Sequence, residues 1–227
     1  MEADQTLRRA HRELEERLAE REDLIREIHH RVRNNLQTII SLLNLKRRRL
    51  DPAMRQWLSV VSQRVNVLGS IHEQLEAFAN WNAIDFGRHL RDTSAALANL
   101  LDNAVAIEVD ADPLTCDVDA AVSLGLIANE LISAQLDRVA GRDMAGRARI
   151  AVQLRHRENA GILELTVGFT GVEHMSWLAG DVIPASDIVD VLVERIGAEL
   201  AFDAGMGPSV TLVVPTRNFI AEKQSPL

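Results

Sequence analysis

The sequence predicts an α + α/β protein: a long helical hairpin followed by helices packed on one sheet. Three observations carry this. Residues 1 to 50 contain no Gly and no Pro and keep an apolar spacing of alternating four and three. Asp51-Pro52 then breaks the pattern, and a second stretch of the same spacing follows. Further on, valine- and isoleucine-rich runs of strand length stand at Ile150 to Leu154 and Ile162 to Val167.

In the first helix the seam runs through Leu7, His11, Leu14, Leu18, Arg21, Ile25, Ile28 and Val32, then Leu36, Ile39, Leu43 and Leu50. His11 and Arg21 make it an imperfect heptad. Proline fits the first turn of a new helix, so Asp51 is expected as its N-cap. The second helix carries Trp57, Val61, Leu68, Ile71, Leu75 and Phe78 on its seam. Two antiparallel helices bury one stripe each, and two copies bury both. A homodimeric four-helix bundle is therefore expected.

The chain has 227 residues, 47% of them hydrophobic and 26% charged, with a formal net charge of -8. That charge argues against bulk nucleic-acid binding. Cys116 is the single cysteine, which excludes an intrachain disulfide and a multi-cysteine metal site; it reads as a small buried hydrophobe. The charged N-terminus lacks an apolar signal-peptide core, and no apolar run approaches the roughly 20 residues that span a bilayer. The expectation is a cytoplasmic protein without membrane insertion. No sensor domain fits in the chain, so any input is expected from another protein.

Helical geometry separates two adjacent histidines. With about 100° per residue and Val32 at the centre of the stripe, Ile25, Ile28, Leu36, Ile39 and Leu43 fall within roughly 40° of it. His29 falls at about 60°, on the flank. His30 falls at about 160°, beside Glu27, Asn34, Gln37 and Ser41. His30 is thus expected to be exposed on a polar strip, and His29 to be partly shielded and structural. Arg31, Arg33, Lys46, Arg47, Arg48 and Arg49 lie between Ile28 and Leu50 with no acidic residue among them. They form either a solvated face or a positive field for an acidic partner. Nucleic acid is a third reading, unsupported because no aromatics are interleaved.

These residues carry a resemblance. Glu27 to Leu43, EIHHRVRNNLQTIISLL, resembles the dimerisation and phosphoacceptor segment of histidine kinases of the HisKA_2 class, related to the HWE kinases. Ile71-His72-Glu73-Gln74-Leu75 and Ile84-Asp85-Phe86 resemble that family's second helix and the link beyond it. Leu124 to Leu131 resembles the opening of the N-box of a GHKL-type ATP-binding domain, and Leu200 to Pro215 its closing hairpin. The resemblance covers roughly residues 20 to 216 and divides the chain. Residues 1–23 would be a coiled-coil extension, 24–82 the phosphoacceptor domain, 83–216 a degenerate GHKL-like α/β sandwich, and 217–227 a polar tail. It implies His30 as the phosphorylated residue, in agreement with the helix-face arithmetic. Glu27 and Asn34, each about one turn away, are expected to orient the ring or the phosphoryl group. Arg31 and Arg33 are expected to screen phosphate charge.

The same resemblance exposes losses. The family's metal-holding Asn falls at Ala134, its following basic residue at Asp137, and its adenine-reading Asp at Gly168. Phe169 and Thr170 stand where Asn and Gly are expected, and Ala185-Ser186-Asp187-Ile188-Val189 stands at the phosphate-side glycines. Asn129 and Glu130 remain and are read as structural. The core pattern is intact at Leu124, Ile127, Leu131, Val152, Leu165, Val167, Leu192, Ile196, Leu212 and Val214. The domain is therefore expected to fold without ATP and without a bound metal.

The expected function is a histidine phosphotransferase in a two-component phosphorelay. His30 would pass phosphoryl groups between response-regulator receiver domains, with an upstream hybrid histidine kinase as a further partner and Mg²⁺ supplied by the receiver. The alternatives are a working or weakly active histidine kinase with diverged boxes, and a pseudokinase scaffold that binds receivers without chemistry.

Overall fold

The computed structural model describes residues 2–47, 50–77, 83–100, 105–140, 149–170, 187–203 and 208–216. Helix α1 (Glu2–Arg47) and helix α2 (Pro52–Ala77) form the hairpin. Asp51 caps α2 as expected: its Oδ1 accepts from the Met54 backbone N–H at 3.0 Å, with Pro52 as the first helical residue. Phe78 lies outside the described residues.

The hairpin covers less of α1 than its pattern offers. Ile25, Val32, Leu36, Ile40 and Leu43 are half-buried. Ile28 and Ile39, expected in the same stripe, are exposed, together with Leu24, Leu42 and Leu45. The two sets lie roughly 90° apart around the helix, and a single partner helix covers only one. Leu7, Leu14 and Leu18 are exposed because α1 is far longer than the α2 that packs on it. Trp57 is a correction within α2: it is 61% exposed, and the neighbouring Leu58 takes the buried position. Lower in α2, Val67, Ile71 and Leu75 are buried.

Strand β1 (Ile84–Asp85) pairs antiparallel with β3 (Thr115–Cys116). Asp85 caps helix α3 (Phe86–Leu100) at the Arg88 N–H, 2.9 Å away, and Asp117 caps helix α4 (Val118–Ala140) at the Ala120 N–H, 2.8 Å away. The main sheet contains β2 (Ala106–Ala111), β4 (Arg149–Arg157), β5 (Ile162–Thr170), β6 (Glu199–Asp203) and β7 (Ser209–Pro215), in the order β2-β4-β5-β7-β6. Only β2 and β4 run parallel; the other pairs are antiparallel. The closing hairpin is present, with Leu200 opposite Leu212. Helices α3, α4 and α5 (Asp187–Ile196) supply the other layer.

Period-two alternation sets the faces of this sheet. Leu163, Leu165 and Val167 on β5 and Val210, Leu212 and Val214 on β7 enter the core. The opposite face carries polar pairs: Glu108 with Arg149, Asp110 with Arg155, Arg157 with Glu164, and a Thr166–Thr211 hydroxyl pair at 2.9 Å. All ten residues of the expected core are buried. Helix α4 is the hub, packing against α2, α3, α5, β4 and β5. Cys116 is buried, and burial, with Asp117 and Asp85 adding to it, pushes its thiol up to about 12. No helix among the described residues is long and apolar enough to cross a membrane.

His89 on α3 is enclosed where α2 meets this layer. Its Nδ1 lies 3.3 Å from Ser70 Oγ, its Nε2 lies 3.5 Å from Thr93 Oγ1, and its ring packs on Phe86. Burial lowers its pKa to about 4, against the opposing charge of Asp92. An unfolded chain takes this proton near the ordinary value of 6.5, so the unfolded state binds more protons between the two values. The stability contribution is complete above about pH 6.5 and is lost as the pH falls towards 4, a loss of roughly 3 kcal/mol. Urea midpoints measured from pH 7 to 4.5 should fall, and His89→Gln should flatten that slope. An unchanged slope in the variant would contradict this role for His89.

Candidate functional site

The site is built on one stretch of α1. His30 is exposed, as the wheel required, and Asn34 is the residue set against it: Asn34 Nδ2 lies 3.1 Å from His30 Nδ1. The i,i+4 spacing produces this contact. With the amide nitrogen facing the ring, Nδ1 accepts and the ring proton sits on Nε2. With the amide turned over, its oxygen accepts from Nδ1–H and Nε2 presents its lone pair outward. The ring tautomer and the Asn34 amide orientation are therefore coupled. Thr38 Oγ1 bonds the Asn34 carbonyl at 2.9 Å, one turn further along.

The charged residues expected around His30 are placed differently. Glu27 accepts from Arg31 Nε at 2.6 Å, so its carboxylate is committed to that neighbour rather than to the imidazole. Arg31 remains largely exposed, paired with Glu27. Arg33 leaves the phosphate-screening position expected for it: its Nη2 bonds Glu73 on α2 at 2.7 Å and stitches the hairpin. His29 does the same, with its Nδ1 3.1 Å from His72 Nδ1 and the rings 5.3 Å apart. At that distance one ring donates and the other accepts. His72 was legible only as part of a motif; its partner was not.

The α/β layer is fixed to the hairpin by a pair the sequence did not reveal. Arg64 on α2 donates from Nε and Nη2 to the two carboxylate oxygens of Glu130 on α4, each at 2.9 Å. Glu130 is nearly buried, and its hydrogen bond raises the Arg64 pKa further. The structural reading of Glu130 has its basis here. Asn129 beside it is also buried.

The expected nucleotide positions lie on α4 and β5. Ala134 is half-buried and offers no metal ligand. Asp137 is exposed, and partial desolvation raises its carboxyl, against the opposing charge of Arg138. Gly168 is buried, and a Cβ built there would stand 2.6 Å from Ser209 Cβ and 3.1 Å from the Pro208 carbonyl oxygen. The space an aspartate would need is taken by β7. Phe169 is a core residue, and its N–H donates to the Pro208 carbonyl at 3.2 Å. Ala185 and Ser186 lie outside the described residues, as do Arg48 and Arg49. Among the described residues no group of three or more His, Cys, Asp and Glu side chains is placed to hold a metal.

With the hairpin, its exposed histidine and the sandwich behind it described, the chain can be set beside known proteins. Residues 27–101 match the model of the HisKA_2 family, described as histidine kinase. The chain is 28% identical over 211 residues to blue-light-activated histidine kinase 2 of Erythrobacter litoralis, covering 88% of this chain and 59% of that protein. It is 28% identical over 213 residues to the sensor histidine kinase PdtaS of Mycobacterium tuberculosis, covering 87% of this chain and 40% of that protein. The chain therefore spans less than two thirds of either relative. In fold it is similar to the histidine kinase domain of the Erythrobacter litoralis EL346 blue-light-activated kinase, with a TM-score of 0.57 at 20% identity over 87% of this chain and 95% of that one. Against another structure of that kinase the TM-score is 0.60 at 22% identity, covering 85% and 58%.

Gly168→Asp should not create a nucleotide site. The overpacked side chain should cost about 1–3 kcal/mol, read as a lower melting temperature, with no rise on adding ATP. A variant that is stabilised by ATP in a concentration-dependent way would contradict the steric reading.

Proposed function

We propose that this chain is a histidine phosphotransferase of a two-component phosphorelay, carrying a phosphoryl group on His30 without using ATP. The observation that carries this reading is a contrast between two positions. His30 is exposed and oriented by Asn34, while Gly168, at the adenine-reading position, has its side-chain space filled by Ser209. The donor is a receiver domain bearing an aspartyl phosphate, and the receiver supplies its own Mg²⁺. Neutral His30 attacks phosphorus through the Nε2 lone pair, the N–P bond forms as the acyl phosphate P–O bond breaks, and the receiver carboxylate leaves. Asn34 Oδ1 accepts from Nδ1–H during attack and stabilises the positive charge developing on the ring. The reverse sequence delivers the group to a second receiver. An upstream hybrid kinase fits as the source of the phosphoryl group.

Two copies of the chain complete the bundle. The exposed stripe of Leu24, Ile28, Ile39 and Leu42 is the surface a second hairpin covers, and it lies roughly 120–180° around the helix from His30, which stays uncovered. The match of residues 27–101 to the family supports this dimer.

A second reading is favoured by the relatives, which are named as histidine kinases: an ATP-dependent kinase. The two readings part on the source of the phosphoryl group. Incubated with a phosphorylated receiver, wild type should acquire acid-labile, base-stable label, and His30→Ala should acquire none. Asn34→Asp should retain transfer, and Asn34→Leu should slow it by about tenfold or more. Equal labelling of His30→Ala would remove His30 as the carrier.

A further inference from the structure

A cavity of about 420 Å³ lies where α1, α2, α3 and α4 meet, and neither His30 nor the expected nucleotide positions Ala134, Asp137 and Gly168 line it. Its size is that of an ordinary small-molecule site. Ile40, Val67 and Leu97 give it an apolar floor. Asn129 reaches it from α4; this side chain is 2% exposed, and its Nδ2 has no acceptor in the protein. A buried amide donor without a partner marks a place where an acceptor is missing.

Gly69 on α2 is a second, independent sign. Glycine inside a helix weakens it, and the usual reason is a close neighbour. Here a Cβ at position 69 would meet nothing within 4 Å. The absent side chain leaves cavity open instead. The charged groups on the wall are already matched: Arg33 bonds Glu73 at 2.7 Å, and Arg88 stands 3.6 Å from Asp92. A charged ligand would have to displace these pairs, so the site favours an uncharged one.

We propose that this cavity binds an uncharged organic molecule with an apolar body and one acceptor oxygen, the oxygen taking the Asn129 Nδ2 hydrogen. The occupant touches α1 and α2 on one side and α3 and α4 on the other, and so fastens the hairpin to the α/β layer. Arg33 and Gln37 on its wall lie on the helix of His30, within about two turns of it, which makes occupancy a regulator of the phosphoacceptor helix.

The test uses the full chain and Nile red, an uncharged dye with a keto oxygen whose fluorescence rises on burial. Saturable binding of one dye per chain is expected. Gly69→Leu should weaken it at least tenfold while helical circular dichroism and the melting temperature are kept. Asn129→Leu should weaken it at least threefold, and decides the matter if Gly69→Leu does not fold. Val191→Ser, on the exposed side of α5 and away from the cavity, should bind as wild type does. Absence of saturable binding, indifference to both cavity variants, or loss in Val191→Ser would each overturn the proposal.

Discussion

The paired hydrogen bonds between Arg64 and Glu130 determine how the two halves of this protein meet. Beside them, the helical hairpin and the α/β sandwich share the contacts of α2 with α4, α3 and β1. With them, a carboxylate that is almost out of water is satisfied by a planar, doubly bonded guanidinium. The geometry is demanding because the alternative is costly: leaving one partner of such a pair buried and alone costs on the order of 3–5 kcal/mol. The cavity beside Asn129 and the enclosure of His89 lie at the same junction and depend on that relative position.

The two halves differ in what they keep of the expected site. On α1, His30 is exposed and lies against Asn34. On the sheet, the core pattern is kept while the expected nucleotide positions are changed. Leu165, Val167, Leu212 and Val214 pack as in any sandwich, while Gly168 and Phe169 close onto β7 at the adenine-reading position. Core packing tolerates such replacement because it depends on volume and pattern, whereas ligand recognition depends on individual side chains.

Periodicity made much of this legible in the sequence. The helix break at Asp51-Pro52, the strand segments and the exposed face of His30 follow from local spacing, the ten core residues follow from the resemblance, and all stand in the structure. What spacing could not supply is which of two apolar stripes finds a partner in the same chain. Ile28, Ile39 and Trp57 were placed in the seam and are exposed for that reason. Nor could it supply pairs between distant segments. Arg64 and Glu130 are 66 residues apart, and Arg33 and Glu73 are 40 apart, with no local mark. The Glu27–Arg31 pair did have a mark, its i,i+4 spacing, which favours an ion pair over a carboxylate reserved for His30.

The central claim is that phosphoryl groups reach His30 from another protein and not from ATP. The most direct measurement is incubation of the purified chain with γ-labelled ATP and Mg²⁺, beside His30→Ala. The account predicts no label on either protein. Label on the wild type that is absent from His30→Ala would contradict it and establish a kinase that reads ATP without the expected side chains.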